Sequence, residues 1–199
     1  MSIKSTYYFR TKTHTLKPSI IEEIAEYGHE IGYHYESLSD TNGNIELAIE
    51  NFDYNLKKLR NITAVDTCAM HGMPLKPYDN RDIWRNPENK ELLINRFNLL
   101  GEVYLDIDYG DIVYISDTGR NWQNTKSNLR DKVSSEVSID FRSSVELLNY
   151  LSHTPHTKIC FQIHPERWST NEFQFINSYS TDFIVNFMKR ILHFKRMNF

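Results

Sequence analysis

The feature that most constrains this chain is a regular alternation of short aromatic or β-branched segments with longer amphipathic ones. "STYYFR" (5–10), "HEIGYHYE" (29–36), "TAVDTCAMHG" (63–72), "EVYLDID" (102–108), "IVYISD" (112–117) and "KICFQIH" (158–164) read as strands. Between them, residues 17–28 predict a helix with Pro18 in its first turn, Ile20, Ile21, Ile24 and Ala25 on one face, and Gly28 as its C-cap. Residues 44–60 predict another, with Ile45, Ala48, Ile49, Phe52, Leu56 and Leu59 at helical spacing and Lys57, Lys58 and Arg60 in the last turn. "LLINRFN" predicts a short helix, residues 144–152 a further one, and residues 181–197 a closing amphipathic helix with basic residues at its end. Strands alternating with helices predict an α/β fold around a largely parallel sheet. With no repeat, low-complexity tract or composition break in 199 residues, one domain spanning 1–199 is expected.

Several function classes are disfavoured. A net charge of −3 offers no electrostatic reason to expect nucleic acid. No apolar run approaches the length of a membrane span, and "MSIKSTYYFR" lacks the apolar segment of a signal peptide. Cys68 and Cys160 form no CxxC pair, so reduced, buried thiols in a cytoplasmic protein are expected.

In parallel α/β folds functional groups gather at the carboxyl ends of the strands. Ionisable residues recur there: His34 and Glu36, then His71, Asp106 and Asp108, Asp117 and Arg120, and finally His164. Positions i and i+2 of a strand share a face, which pairs His34 with Glu36 and Asp106 with Asp108. Two imidazoles and a carboxylate suit a hydrolytic zinc site, which uses three protein ligands and an open fourth position. Each of these residues also has a structural alternative. A histidine at a strand end can serve packing, and Glu36, Asp106 and Asp108 can be solvated or hydrogen-bonded strand ends.

"GHEIGYH" (28–34) resembles the second motif of the polysaccharide deacetylase (NodB-homology, carbohydrate esterase family 4) superfamily. "STYYFR…IIEEIAEYGHEIGYH" is similar to that family's strand–helix–strand unit. "CAMHGMPLKPYDNRD" lies where its third motif falls, and "FQIHPERW" resembles its last. The resemblance runs from residue 5 to about 195 and looks closest to the branch associated with bacterial surface-polysaccharide and O-antigen biosynthesis. It implies a distorted (β/α)7 barrel and metal-dependent removal of an acetyl group from an amino sugar. By the same resemblance His34 is a metal ligand, with zinc the expected divalent ion, and His164 is the general acid. Arg167 and Trp168 follow His164 on one loop. With Arg120 of "SDTGRNW" they are the expected substrate contacts.

The departures from the pattern are specific. The family's second histidine ligand falls on Leu38, which leaves His71 as the replacement and Glu36 as a weaker one. The family's aspartate-bearing first strand and its helix have no counterpart before "STYYFR". The expectation is therefore a barrel lacking its first βα unit, open on that side and prone to self-association. Two alternatives stand beside the enzyme reading. One is a degenerate, non-catalytic barrel that binds carbohydrate or a protein partner; the other is a different metal hydrolase using Asp106 or Asp108 as the carboxylate. Because each closes a strand of a parallel array, His34, His71 and His164 are expected to cluster at one end of the sheet.

Overall fold

The structure, a computed structural model, describes residues 3–73, 76–118, 122, 133–137, 139–154 and 158–197, the side chains of Glu166 and of residues 185–197 excepted. Strands and helices alternate as expected, and every pairing between named strands is parallel. The chain divides into two compact units, Met1–Ile107 and Asp108–Phe199.

The first unit runs β1 (Thr6–Phe9), α1 (Pro18–Glu26), β2 (Glu30–Tyr35), α2 (Ser37–Asp40), α3 (Ile45–Arg60), β3 (Thr67–Met70), α4 (Asp82–Arg85), α5 (Pro87–Phe97), β4 (Gly101–Glu102) and α6 (Val103–Asp106). Its sheet has the order β1-β2-β3-β4. Register is set by Thr6↔Glu30 through Phe9↔Tyr33, by Tyr33↔Cys68 through Tyr35↔Met70, and by Thr67↔Gly101 with Cys68↔Glu102. Strand β1 is the terminal strand of this order, on the side where the open edge was expected.

Helix α3 carries the core. Asn44 caps it by accepting a hydrogen bond from Leu47 N at 2.9 Å, and Lys57, Lys58 and Arg60 complement the dipole at its far end. Ala48, Phe52, Leu56 and Leu59 form its buried stripe. The Phe52 ring meets Tyr33 at 5.0 Å, Tyr35 at 5.4 Å, Phe97 at 5.9 Å and Trp84 at 6.1 Å between centroids. These offset and edge-on contacts suit aromatic quadrupoles. Since Tyr33 and Tyr35 face α3, strand alternation turns Glu30, Gly32 and His34 to the other face.

That other face is polar. Glu30 accepts hydrogen bonds from Thr6 Oγ1 and Thr67 Oγ1, both at 2.6 Å, so one carboxylate ties β1, β2 and β3. Tyr8 reaches from β1 across β2 to the Thr67 hydroxyl at 3.1 Å. It passes directly over Gly32, where a Cβ would stand 2.2 Å from Tyr8 Cε1. The glycine of "GHEIG" is thus required by a crossing aromatic ring. Gly28, at φ +77, has the left-handed conformation of a helix C-terminus.

One predicted strand is corrected. "EVYLDID" gives only Glu102 to the two-residue strand Gly101–Glu102 and then forms a helical turn, Val103–Asp106. Glu102 accepts from Tyr104 N at 2.8 Å, and Asp106 accepts from Glu102 N at 2.8 Å. Two local carboxylates capture the backbone N–H groups that a strand ladder would have used. The shared-face pairing of Asp106 with Asp108 therefore does not exist.

The second unit contains β5 (Val113–Ser116), α7 (Ser144–His153), β6 (Ile159–Gln162), a short 3₁₀ turn (Pro165–Arg167) and α8 (Glu172–Met197). β5 and β6 pair from Val113↔Ile159 to Ser116↔Gln162. Val113, Ile115, Phe141 and Leu147 form the small core beneath α7. Ser143 caps α7 by accepting from Glu146 N at 3.2 Å. The closing helix begins at Glu172, nine residues before the predicted start, because the polar residues of its first turns blur the apolar period. No helix among the described residues is long and apolar enough to cross a membrane.

If Tyr8 forces Gly32, then Gly32→Ala should destabilise the protein by about 1–3 kcal/mol in urea unfolding. In a Tyr8→Ala background the same substitution should cost far less. An equal cost in both backgrounds would mean that something other than the ring requires glycine.

Candidate functional site

Two clusters of ionisable side chains lie at carboxyl strand ends, one in each unit. In the first unit, β1 leads into Arg10 and Lys12, β2 into Glu36, and β3 into His71. Glu36 is 4% exposed, yet it is surrounded by cations. Arg10 Nη2 donates to its Oε1 at 3.0 Å and lies 2.8 Å from Oε2, and Lys12 Nζ stands 2.6 Å from Oε1. His71 Nδ1 lies 3.0 Å from Oε2. Lys12 also bridges to Asp40 at 2.6 Å. A carboxylate this deeply buried demands such partners, since an uncompensated buried charge costs several kcal/mol.

His34 and His71 stand side by side, their rings nearly perpendicular (88°) with centroids 5.0 Å apart. His34 Nδ1 is 3.0 Å from Ala69 O. A carbonyl only accepts, so Nδ1 carries the proton and the lone pair of the neutral ring is on Nε2. Metal-binding imidazoles are commonly held this way, with the second ring nitrogen on a carbonyl or carboxylate. The two imidazoles are thus brought together at the carboxyl ends of β2 and β3. Glu36 does not fit as the third ligand, because its carboxylate is held in ion pairs by Arg10 and Lys12. Leu38, at the position of the family's second histidine, is buried at 3% exposure. Among the described residues no group of three or more His, Cys, Asp or Glu side chains could hold a metal ion.

In the second unit, β5 leads into Asp117 and β6 into His164. Asp117 is 8% exposed. Its Oδ1 lies 2.5 Å from His164 Nδ1, and its Oδ2 accepts from His164 N at 3.0 Å. Arg167 Nη1 donates to the Asp117 carbonyl and stands 3.4 Å from Oδ1. The carboxylate grips both the imidazole and the backbone of one residue, while Arg167 neutralises it. Nδ1 is thereby committed to Asp117, and Nε2 is the nitrogen at which a proton would be exchanged. Trp168 follows with 66% of its surface exposed.

The remaining expected site residues lie elsewhere. Asp106 pairs with Lys90 and caps Glu102 N. Asp108 accepts from Gly110 N at 3.0 Å, an Asx turn. Arg120 lies outside the described residues. His34 and His71 belong to the four-stranded sheet, whereas His164 follows a strand of the two-stranded one. Burial pushes the thiols of Cys68 and Cys160 up, so neither is an activated nucleophile at neutral pH. Arg10 and Lys12 were separated from Glu36 by a helix in the sequence, and only sheet register brings them together.

Glu102 is a buried acid that the strand-end rule passed over, because it lies before the end of its segment. It is 1% exposed and accepts from Met70 N at 2.9 Å. Its one signal in the sequence is a carboxylate flanked closely by Leu99, Leu100, Val103 and Tyr104. Burial pushes its pKa up to about 7, against hydrogen bonds from Met70 and Tyr104 that favour the ionised form.

Compared with known protein families, with curated proteins and with solved structures, the chain matches none.

The raised pKa of Glu102 has a stability consequence with a definite sign. The folded state holds the proton more tightly than the unfolded state. The stabilisation is therefore fully present below about 4.5 and is lost as pH rises through about 7. The displacement corresponds to a loss on the order of 3 kcal/mol. Urea unfolding at pH 4.5 and pH 8 should show a fall that Glu102→Gln, which does not titrate, removes. An identical pH dependence in wild type and variant would refute the assignment.

Proposed function

We propose that the chain is a polysaccharide deacetylase-like hydrolase that removes acetyl groups from amino sugars of cell-surface polysaccharide, in the cytoplasm, on a distorted (β/α) barrel scaffold. The observation that carries this reading is the Asp117–His164 pair at the ends of two adjacent parallel strands. A histidine fixed at Nδ1 by a buried carboxylate is poised to give a proton from Nε2. Amide hydrolysis needs that proton on the leaving nitrogen: water adds to the acetyl carbon, the C–N bond breaks, and acetate and a free amine result. Asp117 keeps the ring in one tautomer. Arg167, committed to Asp117, orients the carboxylate, and Trp168 offers an exposed aromatic face of the kind that stacks on sugar rings.

In this proposal His34 and His71 hold a divalent metal, zinc by the softness of imidazole ligands. Such an ion, when bound, supplies Lewis-acid chemistry in the first unit. Arg10 and Lys12 are ion-paired with Glu36, whose carboxylate stands 3.0 Å from His71 Nδ1.

A non-catalytic carbohydrate- or partner-binding protein is the second reading. It is favoured by Leu38 and by the engagement of Glu36 with cations, which stop the ligand set at two imidazoles among the described residues. Acetate release from acetylated amino-sugar oligomers separates the two readings. If the chain is a deacetylase, His164→Ala should lower turnover by about 10²–10⁴-fold with metal content unchanged, and Asp117→Asn should fall in the same range. His34→Ala should lose metal and turnover together. Absence of acetate release by the wild type, with retained glycan binding, would favour the second reading.

A further inference from the structure

We propose that Asn80 is a positioning residue for His71, an inference that rests on the functional role assigned to His71 above. Asn80 is 0% exposed, and both ends of its amide are used. Its Nδ2 donates to His71 O at 2.8 Å, and its Oδ1 accepts from Ser39 N at 2.9 Å. The partners fix the amide's orientation, since a carbonyl can only accept and a backbone N–H can only donate.

The location of these two bonds is what matters. Strands β2 and β3 are last paired at Tyr35↔Met70, and His71 N donates to Tyr35 O at 2.7 Å as the final inter-strand bond. Beyond it the sheet ladder can no longer hold the chain. Glu36 continues into α2, which contains Ser39, and His71 continues into a loop that returns at Asn80. Asn80 clamps the continuation of β2 to the continuation of β3, bonding Ser39 four residues past Tyr35 and His71 one residue past Met70. The spacing of Glu36 from His71 Nδ1, and of the His71 ring from the His34 ring, depends on that clamp. A buried amide joining two segments by one bond each is a costly device unless both are needed in one place.

The experiment uses the whole chain without added metal. Ring centroids 5.0 Å apart predict an NMR cross-relaxation peak between His34 and His71 ring protons. Asn80→Ala should abolish this peak. Leu93→Ala, a core truncation in α5 at a side chain that is 0% exposed, should keep it despite lowering stability. Asn80→Asp retains the acceptor for Ser39 N and removes the donor to His71 O, and it should also lose the peak. Zinc affinity of the folded variants should fall about 10–100-fold, as for other residues that orient a metal ligand. An unchanged peak in a folded Asn80 variant would overturn the proposal. So would failure of both Asn80 variants to fold while Leu93→Ala folds, since Asn80 would then serve folding as a whole. Wild-type protein that shows the peak but binds no zinc would refute the metal reading and leave the positioning role intact.

Discussion

One buried carboxylate organises the first unit's strand ends. Glu36 sits where β2 gives way to α2, and its charge has been taken almost entirely out of water. The field of that charge is compensated by groups arriving from the neighbouring strands: Arg10 and Lys12 after β1, His71 after β3. Truncating the carboxylate would leave two cations and an imidazole crowded together, and truncating the cations would leave an uncompensated buried charge. The cluster is therefore a structural unit as well as a candidate site. It helps to place His71 beside His34, their ring centroids 5.0 Å apart.

The alternating architecture was legible in the sequence because each element's periodicity agreed with its caps. Helix α3 is the clearest case: a stripe of buried apolar residues, Asn44 at the start and three basic residues at the end. "EVYLDID" misled because Val103 and Tyr104 are strand formers and Leu105-Asp106-Ile107-Asp108 alternates apolar and acidic residues, as in a half-buried strand. Period alone cannot reveal that Glu102 and Asp106 will bond to backbone N–H groups within their own segment. Short-range capture of this kind defeats pattern reading wherever acids lie near a strand end. The turns α2, α4 and α6 were missed for a related reason, being four residues each and too short to show a period.

Part of the candidate site was equally readable. Strand ends in a parallel sheet point one way, so His34 and His71 could be paired from the order of segments alone. What could not be read was which groups answer which charges. Glu36 looked available as a ligand or base until Arg10 and Lys12, two dozen positions upstream, were seen to hold it. His164 could be singled out, but its carboxylate partner lies 47 positions earlier, and pairing the two requires the β5–β6 register. Buried polar residues such as Glu102 and Asn80 carry almost no local signature, since their roles are defined by backbone groups distant in sequence.

The most direct test of the account concerns the His34–His71 pair. Isothermal titration of zinc into the whole, metal-stripped chain should show saturable binding of about one equivalent, as expected for a single built site. The double substitution of His34 and His71 by alanine should eliminate that binding while the far-ultraviolet circular dichroism remains that of a folded α/β protein. Binding of the same stoichiometry and affinity in the double variant would contradict the account, because the metal would then be held by other residues.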